Sequence, residues 1–201
     1  MASLTDHPAS PTDDYPRGVK LGVDVGMVRV GVASSDSGSL LATPVRTMKR
    51  DLKKKSDLNI LIREISERDA VQVFVGLPRN LSGTDSASTD MARGYALELA
   101  NAIARAGLAV SVSLIDERLS TVSAHRSLRQ AGLNTRNHRK VVDQVAAVEI
   151  LQHAIDMQRS QMRDVGEPVA ARQRIQLPRE PLTPTKEPDI TENSRERNLE
   201  L

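Results

Sequence analysis

Apolar positions along the chain fall into two rhythms. Val19 to Asp24 is a short apolar run closed by Gly26, and Val28 to Ala33 is a second, mostly β-branched one. The tight gap between them predicts an antiparallel hairpin. Leu40 to Met48, after a Ser-Asp-Ser-Gly turn, reads as a third strand. Val71 to Val75, stopped by Gly76 and Pro78, reads as a fourth, and Ala109 to Ile115, alternating Val and Ser, as a fifth. Between and after these the period lengthens. Lys53 to Arg68 places Leu58, Leu61, Ile62 and Ile65 on one helical stripe. Thr84 to Ala106 is an alanine-rich helix opened by a Ser82-Gly83-Thr84 cap and closed by Gly107. Leu119 to Gln130, before Gly132, and Lys140 to Met157 complete the set. The order β-β-β-α-β-α-β-α-α predicts an α/β fold, a mixed five-stranded sheet with helices on both faces.

The ends break both rhythms. Residues 1–16 are polar, and from Met162 onward Pro168, Pro178, Pro181, Pro184 and Pro188 are interspersed with charges. Such segments bury too little apolar surface to offset their ordering entropy. The expectation is a disordered N-terminal tail over 1–16, a folded domain over 17–160 and a disordered C-terminal tail over 161–201.

Composition narrows the chemistry. Aromatic residues are 1% of the chain, so the core must be aliphatic and a stacking platform for bases is not expected. The absence of cysteine removes disulfides, thiolate metal sites and a cysteine nucleophile, and fits a cytoplasmic location. No run of about 18 apolar residues is available to span a membrane. The net charge of +2 is unevenly spread. Residues 1–16 hold three acids and no base and 158–201 hold eight of each, leaving twenty bases against fifteen acids in 17–157. A moderately basic domain suits a polyanion such as nucleic acid.

Three groups of acids stand out. Asp24 closes the first strand, where a buried carboxylate needs a partner or a metal; a turn aspartate capping Gly26 accounts for it equally. Asp116 and Glu117 follow the fifth strand, and as first-turn acids of the next helix they would need no further role. Strand alternation sends them to opposite faces, so only one can meet Asp24 across the sheet, and Glu117 is preferred. Asp143 interrupts Val141-Val142-Asp143-Gln144-Val145-Ala146-Ala147, where the alanines allow close helix–sheet approach; an exposed acid near the helix start is the alternative. Gathered together, these carboxylates would suit Mg2+ or Mn2+, and two such ions would serve in-line attack on a phosphodiester. The four histidines lack ligand spacing and no Ser-His-Asp arrangement is evident. Among the basic residues, Arg29 and Arg118 flank the acids and are the expected nucleic-acid contacts; Arg79 and the Arg136, Arg139, Lys140 group read as solvated.

Taken together, Gly22-Val23-Asp24-Val25-Gly26 with Arg29-Val30-Gly31-Val32-Ala33, Val75-Gly76-Leu77-Pro78, Asp116-Glu117-Arg118-Leu119-Ser120-Thr121 and Asp143-Gln144-Val145-Ala146-Ala147 resemble the YqgF/RuvX family. The resemblance covers about residues 18–157. It implies a ribonuclease-H-like fold, a cytoplasmic location and a divalent-metal nuclease trimming the 5′ end of pre-16S rRNA, with acidic positions at Asp24, Asp116-Glu117 and Asp143. Val28 departs from the family, which has Lys or another polar residue before the hairpin arginine, and so offers one phosphate contact fewer. Two alternatives stay open: a Holliday-junction resolvase acting on branched DNA, and a non-catalytic ribosome-assembly factor. An actin-like phosphotransferase is disfavoured because it needs a second hairpin and a longer chain. A resolvase would need two sites and hence a homodimer; the sequence does not choose between monomer and dimer.

Overall fold

The hairpin forms as the alternation requires, from Lys20–Val25 (β1) and Arg29–Ser35 (β2), with Asp24 opposite Gly31. The protein is seen here as a computed structural model that describes residues 14–79, 86–116 and 136–172, the side chains of 136–142 excepted. Ala42–Lys49 (β3) adds to β2 at the sheet edge, with a register irregularity beside Val32 and Ala33. Pro44 sits at that irregularity, where a missing N–H breaks little. Exposed Thr43, Pro44, Arg46 and Lys49 discourage further pairing along this edge.

Ser56–Glu67 (α1) leads to Gln72–Leu77 (β4), parallel to β1, and Ala87–Arg105 (α2) leads to Ser111–Asp116 (β5), parallel to β4. The N-cap of α2 is Ser86, which accepts from the Thr89 N–H while Thr89 reciprocates to the Ser86 N–H. The helix therefore starts at Ala87 rather than at the predicted Thr84, and residues 82–84 lie outside the described residues. Gly107, at φ 69°, ends it as expected. The predicted helix over Leu119 to Gln130 also lies outside the described residues. Arg136–Gln161 forms the last helix, α3, longer at both ends than its apolar stripe suggested.

Among the described residues the sheet has six strands, not five, in the order β3-β2-β1-β4-β5-β6, because Glu167–Pro168 (β6) turns back and pairs antiparallel with β5. This corrects the expectation of a tail beginning at 161. Val165 is buried among the residues under α3, and Val169 N–H donates to the Val112 carbonyl. The Asp164 carboxylate accepts from Gln72 Nε2 and Gln158 Nε2. Two apolar residues and one well-placed acid suffice to dock the segment, a signal too sparse to show against its prolines and charges. The N-terminal boundary also moves, since Tyr15 is buried and Asp14 pairs with the segment at Met162 to Asp164 through backbone bonds. Residues 1–13 and 173–201 lie outside the described residues.

Two cores result. Leu21, Val23, Val25, Val30, Val32, Val73 and Val75 meet α1 and α2, through Leu61, Ile65, Ala96 and Leu99 among others. Ala33, Phe74 and Ile115 point the other way and meet Ala147, Ile150, Leu151 and Ala154 of α3. With helices on both faces, β1 and β4 are buried along their whole length. No helix among the described residues is long and apolar enough to cross a membrane.

Lys20 is fully buried. Its Nζ donates to Ser39 Oγ and stands over the Tyr15 ring. Burial, with the nearby Arg17 charge, lowers its pKa to about 8, against an opposing pull from Asp164. Between that value and 10.5 the unfolded chain holds a proton the folded chain has lost, so this group raises stability with pH across that window. Urea unfolding should show the wild type gaining about 2 kcal/mol on Lys20→Met between pH 8 and pH 10. A difference independent of pH would mean that the amine titrates normally.

Candidate active site

Asp24 sits near the C-terminal end of β1 and is buried. It shares strand parity with Gly22 and lies in register with Gly31, and both glycines face α3. A Cβ on Gly22 would stand 2.6 Å from the Ala147 carbonyl oxygen, and one on Gly31 would run into the Asp143 carbonyl oxygen. Bare backbone on the strands and alanines on the helix thus let α3 lie directly on the sheet. That close approach brings Asp143 over Gly31, beside the strand position that carries Asp24.

Arg29 begins β2 on the same face, two residues before Gly31. Its Nε donates to Asp143 Oδ2 at 2.5 Å, with the side chains 31% and 19% exposed. A charge-assisted bond in this half-buried setting is stronger than a surface pair, and it fixes the Asp143 rotamer. A guanidinium has five N–H donors and this bond uses one, so Arg29 can hold the carboxylate and still meet an anion.

Asp116 ends β5 with the parity of Val112 and Leu114, which belong to the core under α1 and α2. There it lies 3.9 Å from Arg79, which lies 3.9 Å from Glu167, which pairs in turn with Arg93 of α2. The structure therefore puts Asp24, Asp143 and Arg29 on one face and places Asp116 on the opposite one. Arg79 is a quarter exposed and joins two acids, so it is not the solvated arginine its sequence setting suggested. Glu117 and Arg118 lie outside the described residues. Sequence reasoning passed over Gly22 and Gly31; the signal was two glycines at inward strand positions opposite an Ala-Ala pair.

Among the described residues no three His, Asp or Glu side chains come together as a metal site. What they supply is two hard oxygen donors on one face, Asp24 and Asp143, the second shared with Arg29. That donor set suits a hard divalent cation such as Mg2+ or Mn2+, and it needs a further ligand.

A mixed sheet opening with an antiparallel β1-β2-β3 meander and continuing through parallel β4 and β5, with helices on both faces, defines a ribonuclease-H-like fold. Comparison with known proteins places the chain in one group. A family model described as RuvX, Holliday junction resolvase, matches residues 18–157, and the chain belongs to that family. A protein of Mycobacteroides abscessus, named as a candidate pre-16S rRNA nuclease, is 48% identical over 158 residues, 75% of this chain and 92% of the relative. A Frankia casuarinae protein of the same name is 49% identical over 141 residues, 70% of this chain and 68% of the relative. Among solved structures, Thermus thermophilus RuvC in complex with a Holliday junction substrate aligns at 16% identity with a TM-score of 0.44, covering 76% of this chain and 99% of that one.

Proposed function

We propose that this chain is a divalent-metal-dependent nuclease that hydrolyses a phosphodiester bond in the 5′ extension of pre-16S rRNA. The observation that carries it is that Asp24 lies in register with Gly31, directly under Asp143, with Arg29 bonded to Asp143 on the same face. The names of the relatives support the RNA substrate. In this reading Asp24, Asp143 and Glu117 hold Mg2+ or Mn2+, which when bound supplies an activated water and charge neutralisation at the phosphate. Asp116 faces the other way, a geometry that supports Glu117 over Asp116 as the ligand of the pair. Asp116 with Arg79 then acts as a positioning pair that anchors the end of β5.

The chain's own side chains do the rest. Asp24, at a strand end within the sheet, has little freedom, so its oxygens are set before substrate arrives. Arg29 neutralises Asp143 and allows two carboxylates to sit on one face without mutual repulsion. Turned towards a bound phosphate, Arg29 and Arg118 would balance negative charge developing at the scissile group.

The experiment is cleavage of a 5′-extended 16S precursor RNA with Mg2+ or Mn2+ and with EDTA, beside a four-way DNA junction. Metal-dependent RNA cutting that EDTA abolishes is the expected result. The family model's description favours branched DNA as the second substrate, and cutting of the junction alone would move the assignment there. No cleavage of either substrate by folded, metal-loaded protein would leave a non-catalytic assembly factor. A cytoplasmic protein, whether monomer or homodimer, accords with each of these outcomes.

A further inference from the structure

Beyond the carboxylates, one stretch of surface combines exposed positive charge and exposed apolar side chains. Lys49 lies in register with Arg29, so it faces the same way as Arg29 and Asp143, one strand further out at the sheet edge. From Asp24 on β1 to Lys49 on β3 is two strand spacings across and two residues along, about 12 Å. Lys53 and Lys54 follow in the loop before α1, both exposed. Neither they nor Lys49 form an ion pair with an acid among the described residues, whereas Arg46 and Lys55 are held by Glu64 and Glu98.

The loop is built rather than slack. Asp51 Oδ1 accepts from the Lys53 and Lys54 N–H groups, and Ser56 Oγ donates to Asp51 Oδ2. Those bonds hold the Asp51 carboxyl down at about pKa 2. Arg50 ties the loop to the hairpin, its N–H donating to the Val28 carbonyl and its guanidinium to the Gly26 carbonyl. The turn so anchored displays Met27 at 81% and Val28 at 62% exposure, with Leu52 at 63% on the loop. Large apolar side chains held outward beside free lysines are unfavourable in water and make sense as a contact surface.

We infer that the β1–β2 turn, Lys49 and the Lys53-Lys54 loop form the arm on which the nucleic acid lies as it leaves the carboxylate site. Lys49, Lys53 and Lys54 bind successive phosphates, and Met27 and Val28 pack against bases or sugars of the same strand. The inference rests on the nuclease reading, because a polyanion is the occupant that both the lysines and the adjoining acid-and-arginine site select. At about 3.4 Å per phosphate along a duplex axis, the reach from Asp24 to Lys49 is about three to four nucleotides.

The test measures binding of a fluorescent precursor RNA in EDTA, so that no cleavage intervenes, across a range of salt. Each lysine–phosphate contact contributes roughly 0.7 to 0.9 to the slope of log affinity against log salt. Lys49→Gln/Lys53→Gln/Lys54→Gln is expected to lower that slope by about 2. Met27→Ser/Val28→Ser is expected to weaken binding several-fold and leave the slope unchanged, since apolar contacts release no counterions. Wild-type slope and affinity in the lysine variant, with an unchanged melting temperature, would overturn the arm while leaving the nuclease intact. A wild type that neither binds nor cuts nucleic acid would instead sink the nuclease reading itself. Equal loss of binding to vesicles of anionic lipid by the lysine variant, without any RNA binding, would assign the surface to a membrane.

Discussion

Asp24→Asn is expected to reduce cleavage at least about a thousand-fold while the protein melts at or above the wild-type temperature. The amide matches the carboxylate in shape, so the strand position keeps its packing, but it loses the charge that holds a divalent ion against competing water. Carboxylates that serve catalysis are not placed for stability, which is why stability should hold or rise at such a site. The measurements are initial rates on the precursor RNA with saturating Mn2+, and thermal unfolding of the same samples. Full activity in the variant would remove Asp24 from the metal site and with it the proposed mechanism. Loss of activity together with loss of fold would show that Asp24 is structural.

Gly31→Ala is expected to destabilise the domain by about 3 kcal/mol and to lower activity about a hundred-fold in the fraction that stays folded. The added methyl meets the Asp143 backbone carbonyl rather than a side-chain tip that could swing away, so α3 itself must lift. Overpacking of a well-filled core costs roughly 1–3 kcal/mol, and an obstructing backbone puts this case at the upper end. Lifting the helix carries Asp143 away from Asp24, and a displacement of about 1 Å at reacting groups can cost a hundred-fold in rate. Gly94→Ala is the control: nothing lies within 4 Å of its added Cβ on α2, and alanine there should add about 0.5–1 kcal/mol. Equal behaviour of the two substitutions would mean that the glycine seam does not set the site.

How far the site could be read in advance differs from residue to residue. Asp24 was legible because a carboxylate at the end of an apolar strand is costly without a partner. Asp143 was legible because it interrupts an apolar helix stripe. The pairing of Arg29 with Asp143 was not: 114 positions separate them, and nothing local links a strand start to a helix turn. The face of Asp116 followed from alternation in principle, but which parity met α3 depended on which side of the sheet that helix packed. The docking of Val165 and Asp164 was hidden because three residues of signal lie in a segment whose composition argues for disorder.

The sequence by itself determined the alternation of strands and helices, the aliphatic character of the cores and the absence of any thiol chemistry. These depend on local period and residue chemistry, which the chain carries wherever it goes. Only the tertiary structure decided that α3 lies on bare glycine backbone, that Asp24, Asp143 and Arg29 share a face, and that a sixth strand closes the far edge. Those outcomes depend on which surfaces meet, and such contacts are selected by the packing of the whole sheet against its helices, not by any one segment.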